Sequence, residues 1–151
     1  MTYNEVLPLD VVKNYLRIDS DFTEDDNDIE RMVRSSLQWI EMYTNHIVSK
    51  RDKTYHAAMC KGIDVWDYPI NSETPDDRCR QLYALKSNYS GMSITLNVGY
   101  ETLDEIPSAL LDAALQIIKV WYFEAEKQSN TQLIPQAVKD VLFTYKRFIA
   151  C

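Results

Sequence analysis

The sequence predicts a mainly α fold: a small helical bundle around one long helix, with a β-hairpin or small-sheet insert in the middle. Three observations carry this. Ile106 to Glu126 is the longest stretch that reads as one helix and the most apolar. Its apolar residues fall at Leu110/Leu111, Ala113/Ala114, Ile117/Ile118, Trp121/Tyr122 and Ala125, a face wider than a simple amphipathic stripe. Asp26 to Asn45 keeps a helical period through Ile29, Met32/Val33, Ser36/Leu37, Ile40 and Tyr43/Thr44. Ser93 to Tyr100 alternates instead, with Ile94, Leu96 and Val98 set against Thr95 and Asn97, which is the period of a half-buried strand.

The elements follow in order. Leu9 to Arg17 reads as a short first helix, with Pro8 at its start and Leu9, Val12, Tyr15 and Leu16 on one side. An acidic connection, Ile18 to Asp28, supplies Thr23, Asp25 and Asp26 as N-cap residues for the second helix. Acidic side chains there also suit the positive end of the helix dipole. Glu30, Arg31, Arg34, Gln38 and Glu41 take the outer side of that helix, and Glu30 and Arg34 form a favourable i,i+4 pair.

From His46 to about Asn97 the pattern weakens. Ile47-Val48 and Thr54 to Met59 read as short strands, and Ile63 to Ile70 alternates imperfectly. Asn71 to Asp77 is turn chemistry, and Arg78 to Lys86 fits either a helical turn or a strand. Residues 46–98 therefore form the β or loop insert. Pro107 suits the first turn of the long helix, where a missing N–H costs nothing. Lys127 to Leu133 is a polar connection. Pro135 opens a last helix, Gln136 to Ala150, with a stripe at Val138, Val141/Leu142, Tyr145 and Phe148/Ile149.

A chain of 151 residues fits one domain, 1–151. Its net charge of −7 disfavours a protein that grips nucleic acid along the phosphates. Cys60, Cys79 and Cys151 are odd in number and irregular in spacing, which points to a reducing compartment. The first residues carry no signal-peptide pattern, and Asp112, Lys119 and Glu124 interrupt the one helix apolar enough to suggest a membrane span.

Catalytic and metal-binding patterns are weak. Asp19, Asp21, Thr23, Asp25, Asn27 and Glu30 sit at calcium-loop positions. Glu24 stands where that loop needs glycine, however, and a helix-capping loop is the better reading. His56 and Cys60 are four apart, but His46, Cys79 and Cys151 complete no zinc spacing. No nucleophile–histidine set and no Gly-rich phosphate loop is present. Lys50, Arg51, Lys53 and Lys61 make a local basic patch, read either as a solvated loop or as a contact for an acidic surface or phosphates. Trp39, Trp66, Tyr68 and Trp121 suit either the core rim or an interface.

Three segments carry a resemblance: LDVVKNYLRIDSDFTEDDNDIERMVRSSLQWIEMYTN, then ITLNVGY followed by IPSALLDAALQIIKVWYFEAE, then IPQAVKDVLFTYKRF. The landmarks are Tyr15-Leu16-Arg17, Glu41-Met42-Tyr43-Thr44, Gly99-Tyr100, Ile106-Pro107, Trp121-Tyr122, Pro135-Gln136-Ala137-Val138 and Tyr145-Lys146-Arg147. In this order they resemble the head–tail connector (adaptor, or head-completion) proteins of long-tailed bacteriophages. The three segments span about 80 of the 151 residues, while Ile47 to Ser93 departs from the family pattern and is longer than its usual insert.

The resemblance implies a structural protein of the virion's head–tail junction, made in the host bacterial cytoplasm, with no catalysis, cofactor or membrane. It implies a ring of about twelve subunits under the portal protein. That ring would extend the DNA channel, help retain the genome and dock a tail-side connector or tail terminator. DNA would pass without sequence-specific binding, and an acidic wall would keep it from sticking. Tyr145, Lys146, Arg147 and Phe148 are the candidates for portal or subunit contact. Lys50, Arg51 and Lys53 are candidates for contact with a neighbour or DNA. Trp121 and Tyr122 would lie where the long helix is shared between subunits. The alternatives are a helical adaptor or regulatory module with no virion role, and a small hydrolase or metal-binding protein.

Overall fold

A computed structural model of the chain describes residues 2–56, 63–71, 81–83, 93–125 and 134–147. Five α-helices lie among them: α1 (Tyr3–Val6), α2 (Leu9–Leu16), α3 (Asp26–Thr44), α4 (Ser108–Ala125) and α5 (Gln136–Tyr145). Between α3 and α4 run β1 (Arg51–His56), β2 (Ile63–Val65), β3 (Gln81–Tyr83) and β4 (Ser93–Val98), and a 3-10 turn covers Leu103–Glu105. The architecture is mainly α with a small antiparallel β region in the middle.

α3 starts on acidic residues, Asp26 and Asp28, that suit its positive end. It stops at Asn45, which adopts the left-handed conformation (φ 62°) common at helix C-termini. Ile29, Met32, Val33, Ser36, Leu37, Ile40 and Thr44 are buried, as the period predicts. Glu41 departs from that expectation. It is buried too, at 5% exposure, rather than on the outer side.

Pro107 immediately precedes α4, and its carbonyl accepts from Leu110 N at 2.9 Å. Leu110, Ala113, Ala114, Ile117, Ile118 and Trp121 are buried against the core that α3 helps to build. A fully buried Leu or Ile of this kind contributes about 1.5–3 kcal/mol. α3 packs on α4 and α5, and α1 and α2 also pack against it.

α2 buries Val12 and Leu16 and ends at Arg17 in the left-handed conformation (φ 61°). Tyr15, expected on its buried side, is 39% exposed. α1 has no counterpart in the sequence pattern, because four residues are too few to show a period. α5 buries Val138 and Leu142, but Val141 is 48% exposed, not part of the stripe. α5 is also shorter than the expected helix to Ala150. Lys146 is extended, and Arg147 N donates to Thr44 O at 3.2 Å, so the chain leaves its helix to satisfy a free carbonyl at the end of α3. Phe148, Ile149 and the connection 127–133 lie outside the described residues.

β1 and β4 pair antiparallel, Arg51 opposite Val98 and His56 opposite Ser93, and β2 pairs antiparallel with β3. β4 is the strand that alternation predicts: Leu96 and Val98 are buried and Thr95 is exposed. β1 begins earlier than the expected Thr54 start. Ile47 and Val48 are not in a strand; they are buried in a loop, where Ile47 N donates to Tyr68 O at 2.7 Å. The stretch 78–86 contains a strand, β3, rather than a helical turn in its described part. Gly99 has φ 108°, and a Cβ there would lie 2.8 Å from Lys50 Cα, so only glycine fits this crossing of two backbones.

Candidate functional site

The polar side chains that tie the β region to the helices begin at Glu41. Its Oε1 accepts from Val48 N at 2.9 Å, Ser49 N at 3.2 Å and Arg51 Nη1 at 3.2 Å. Its Oε2 accepts from Arg51 Nη2 at 2.7 Å and Tyr3 OH at 2.8 Å. One buried carboxylate thus joins α1, α3, the loop after α3 and β1. Burial and the neighbouring Glu41 charge push the Tyr3 hydroxyl pKa up. Burial alone would lower the Arg51 pKa, but the Glu41 hydrogen bond and charge outweigh it and raise it.

Lys50, Arg51 and Lys53, the predicted basic patch, each meet a carboxylate of their own subunit. Lys50 Nζ lies 2.5 Å from Glu101 Oε1, Arg51 Nη2 2.7 Å from Glu41 Oε2, and Lys53 Nζ 2.5 Å from Asp67 Oδ2. Asp67 also accepts from the Tyr55 hydroxyl. The Lys50 hydrogen bond, then its charge, holds the Glu101 carboxyl below its usual range. The three described cations of the patch are therefore each matched by a carboxylate from elsewhere in the chain. Lys61 lies outside the described residues.

A second cluster forms where α5 ends. His46 Nδ1 is 2.6 Å from Tyr100 OH, and the His46 ring meets Tyr68 and Tyr145 edge-on, with centroids at 5.2 and 6.3 Å. The Arg147 guanidinium lies 4.8 Å over the Tyr68 ring, and Lys146 Nζ 4.9 Å over the Tyr43 ring. Tyr43 stacks on Trp39 at 5.0 Å. Burial, then the Arg147 charge, lowers the His46 pKa, while burial, then Tyr68, raises that of Tyr100. The structure thus brings Tyr145, Lys146 and Arg147 together at the C-terminal end of α3. Phe148 lies outside the described residues.

Trp121 and Tyr122 part company. Trp121 is 7% exposed, and its indole N–H has no acceptor among the described residues. Tyr122 is half-buried and donates to Asp25 Oδ2 at 2.7 Å. Asp25 thus anchors α4 to the start of α3, where its side chain makes no N-cap hydrogen bond.

Among the described residues no three His, Cys, Asp or Glu side chains converge in a metal-binding group. No described helix is long and apolar enough to cross a membrane. Several apolar side chains stand open instead: Met42 is 81% exposed, Phe143 53%, and Phe123 48%.

Sequence reasoning missed Glu41 and Lys13 as buried charges. Glu41 follows Ile40 and lies four residues after Leu37, at the edge of the stripe, which is a weak signal. Lys13 follows the buried Val12, and its Nζ reaches Phe22 O at 2.7 Å and Asp26 Oδ1 at 2.6 Å.

The sequence profile of the phage gp6-like head-tail connector proteins matches residues 7–150. No curated protein matches. Two solved structures share the fold at low identity. One is described as the neck of an empty gene transfer agent particle computed with C6 symmetry (TM-score 0.73, 14% identity, 98% of this chain and 93% of that one). The other is described as the virion of a native gene transfer agent particle (TM-score 0.68, 15% identity, with the same coverage).

Proposed function

The chain belongs to the phage gp6-like head-tail connector family, and from that premise we propose that its subunits form a ring beneath the portal at the capsid vertex. Its role is structural, that of a virion connector at the head–tail junction, and not enzymatic. The ring extends the DNA channel, helps retain the packaged genome and offers a docking surface to a tail-side connector or terminator. The observation that carries this reading is the family match over residues 7–150. The net charge of −7 supports it, because an acidic wall repels phosphates and lets DNA slide.

Tyr145, Lys146, Arg147 and Phe148 are proposed for portal or subunit contact. The Trp121–Tyr122 end of α4 is proposed as a shared boundary, carried by Tyr122 and the exposed Phe123. Lys50, Arg51 and Lys53 meet a neighbour or DNA only through the solvent-facing parts of their ion pairs.

The test mixes the purified chain with its portal protein and images the product by negative stain, with native mass measurement alongside. Closed rings bound to the portal are expected. A strictly monomeric protein with no affinity for the portal overturns the reading. A monomer in the absence of portal does not, because assembly can require the partner.

A further inference from the structure

The segment that ends α5 lies across the end of α3, and the two meet at the ring of Tyr68. The Arg147 guanidinium sits 4.8 Å over that ring. His46 meets the same ring edge-on, with centroids at 5.2 Å, and meets the Tyr145 ring at 6.3 Å. Arg147 N donates to Thr44 O at 3.2 Å. One tyrosine is thus shared between a fixed cation and an imidazole that can become a second one.

The two sides of this junction are held unequally. On the His46 side, Tyr68 N donates to Asn45 O at 2.9 Å, Ile47 N to Tyr68 O at 2.7 Å, and Tyr100 N to Ile47 O at 3.1 Å. His46 N donates to Thr44 Oγ1 at 3.2 Å, and His46 Nδ1 lies 2.6 Å from Tyr100 OH. Those bonds tie His46 and Tyr68 to one another and to the strand end. On the other side, no described side chain after Leu142 is buried: Phe143 and Thr144 are exposed, and Tyr145, Lys146 and Arg147 are half-buried. Segments with little buried surface open locally without unfolding the rest.

The groups around His46 offer a new charge no compensation. Tyr68, Tyr100 and Tyr145 present neutral rings, and Arg147 presents a cation. Lys146 Nζ lies over Tyr43, at 4.9 Å from that ring. No described carboxylate forms an ion pair with His46. The Glu41 carboxylate of α3 is taken by Arg51 and Tyr3, and Glu105 bears on Tyr100. Burial and the Arg147 charge favour the neutral ring, against a smaller opposing effect of the Tyr145 backbone.

We infer that His46 is a latch: its neutral ring lets Tyr145 to Arg147 dock on the end of α3, and its protonated ring releases them while the helical core stays folded. A proton on His46 puts two cations at the edge and the face of Tyr68. His46 is tied to Tyr68, so the weakly buried Arg147 side yields. Release uncovers Tyr145, Lys146 and Arg147, the residues proposed above for portal or subunit contact. That use rests on the ring reading, whereas the latch belongs to the single subunit and is tested there.

The test uses the full chain in solution, with His46 titrated by NMR and amide exchange corrected for its intrinsic pH dependence. Once released, His46 titrates near its ordinary 6.5, and docked it titrates lower. Between those two values the released population should rise about tenfold for each pH unit of acidification. Exchange at the Arg147 amide should follow that rise, while the amides of Ile40 and Ile117 keep their protection. His46→Gln should abolish the dependence, although the exposed His56 still titrates. Arg147→Gln removes the repulsion, so the docked His46 should titrate closer to 6.5 and the pH response should shrink.

Arg147 exchange that ignores pH overturns the latch. So does a dependence that survives His46→Gln, or a His46 titration that Arg147→Gln leaves in place. Ile40 and Ile117 losing protection in step with Arg147 also overturns it, because the event is then global unfolding. Failure of the chain to form rings with its portal touches none of these readouts and bears only on the ring.

Discussion

Around Leu37 and Ile117 the chain is enclosed by apolar side chains from α2, α3, α4 and α5. Around Lys53, Tyr55 and Asp67 it is enclosed by ion pairs and hydroxyls, and the apolar cluster beneath holds Ile47, Val65, Leu96 and Val98. The helices are thus held by area removed from water, which is non-directional and tolerant of exact placement. The β region is held largely by directed contacts that fail when one partner is lost. Glu41 joins the two: a helix residue whose carboxylate serves the loop and the first strand. This division places the more tolerant body of the fold in the helices.

That contrast can be broken from the helical side first. Leu37→Ala removes a side chain with no exposure, at a cost of about 2–5 kcal/mol. Urea unfolding should show tryptophan fluorescence and β-strand amide exchange shifting together. A β region whose exchange is unchanged would mean that it does not depend on the helical core.

Glu41→Ala comes next, at about 2–4 kcal/mol. The lower end allows for Arg51, which is 37% exposed and can regain water. Hydrogen exchange should accelerate first at Val48 and Ser49, whose amides lose their acceptor, while α4 stays protected. Equal acceleration in α4 would show that Glu41 supports the whole fold rather than the junction.

The smallest effect is expected from pH. His46 is held neutral by burial and by Arg147, with its pKa below the ordinary 6.5. As pH falls below 6.5, the unfolded chain takes up the proton before the folded one. The contribution of neutral His46 is therefore full above 6.5 and is lost as pH drops toward the folded value. Urea midpoints should fall between about pH 7.5 and about pH 5.5, and His46→Gln should flatten that difference. An unchanged slope in the variant would place the titration elsewhere.

Much of the helical part is legible in the sequence. The Ile29 to Thr44 stripe and the Leu110 to Trp121 stripe each repeat over several turns, so local period and burial agree. Tyr15 and Val141 depart from their stripes because each lies at the edge of the stripe, one residue and so about 100° before the buried Leu16 or Leu142. In the β region only β4 is plain. β1 reads Arg-Asp-Lys-Thr-Tyr-His, a strand with no apolar alternation, and it exists because β4 lies beside it. The basic patch at Lys50, Arg51 and Lys53 is legible as charge, but its partners Glu41, Asp67 and Glu101 come from distant positions that no local pattern connects.

By itself the sequence determined the four longer helices, most of their buried faces, the best strand and, through ordered landmarks such as Gly99-Tyr100 and Ile106-Pro107, the family. These are local properties: a period, a proline before a first turn, a short motif in a fixed order. The tertiary structure alone decided which charges are neutralised, that Lys13 and Glu41 are buried, and that the chain after α5 turns back to α3. It also decided which apolar side chains remain open, Met42 near the C-terminal end of α3 among them. Pairing and exposure are relations between segments far apart in the chain, so they exist only once those segments have met.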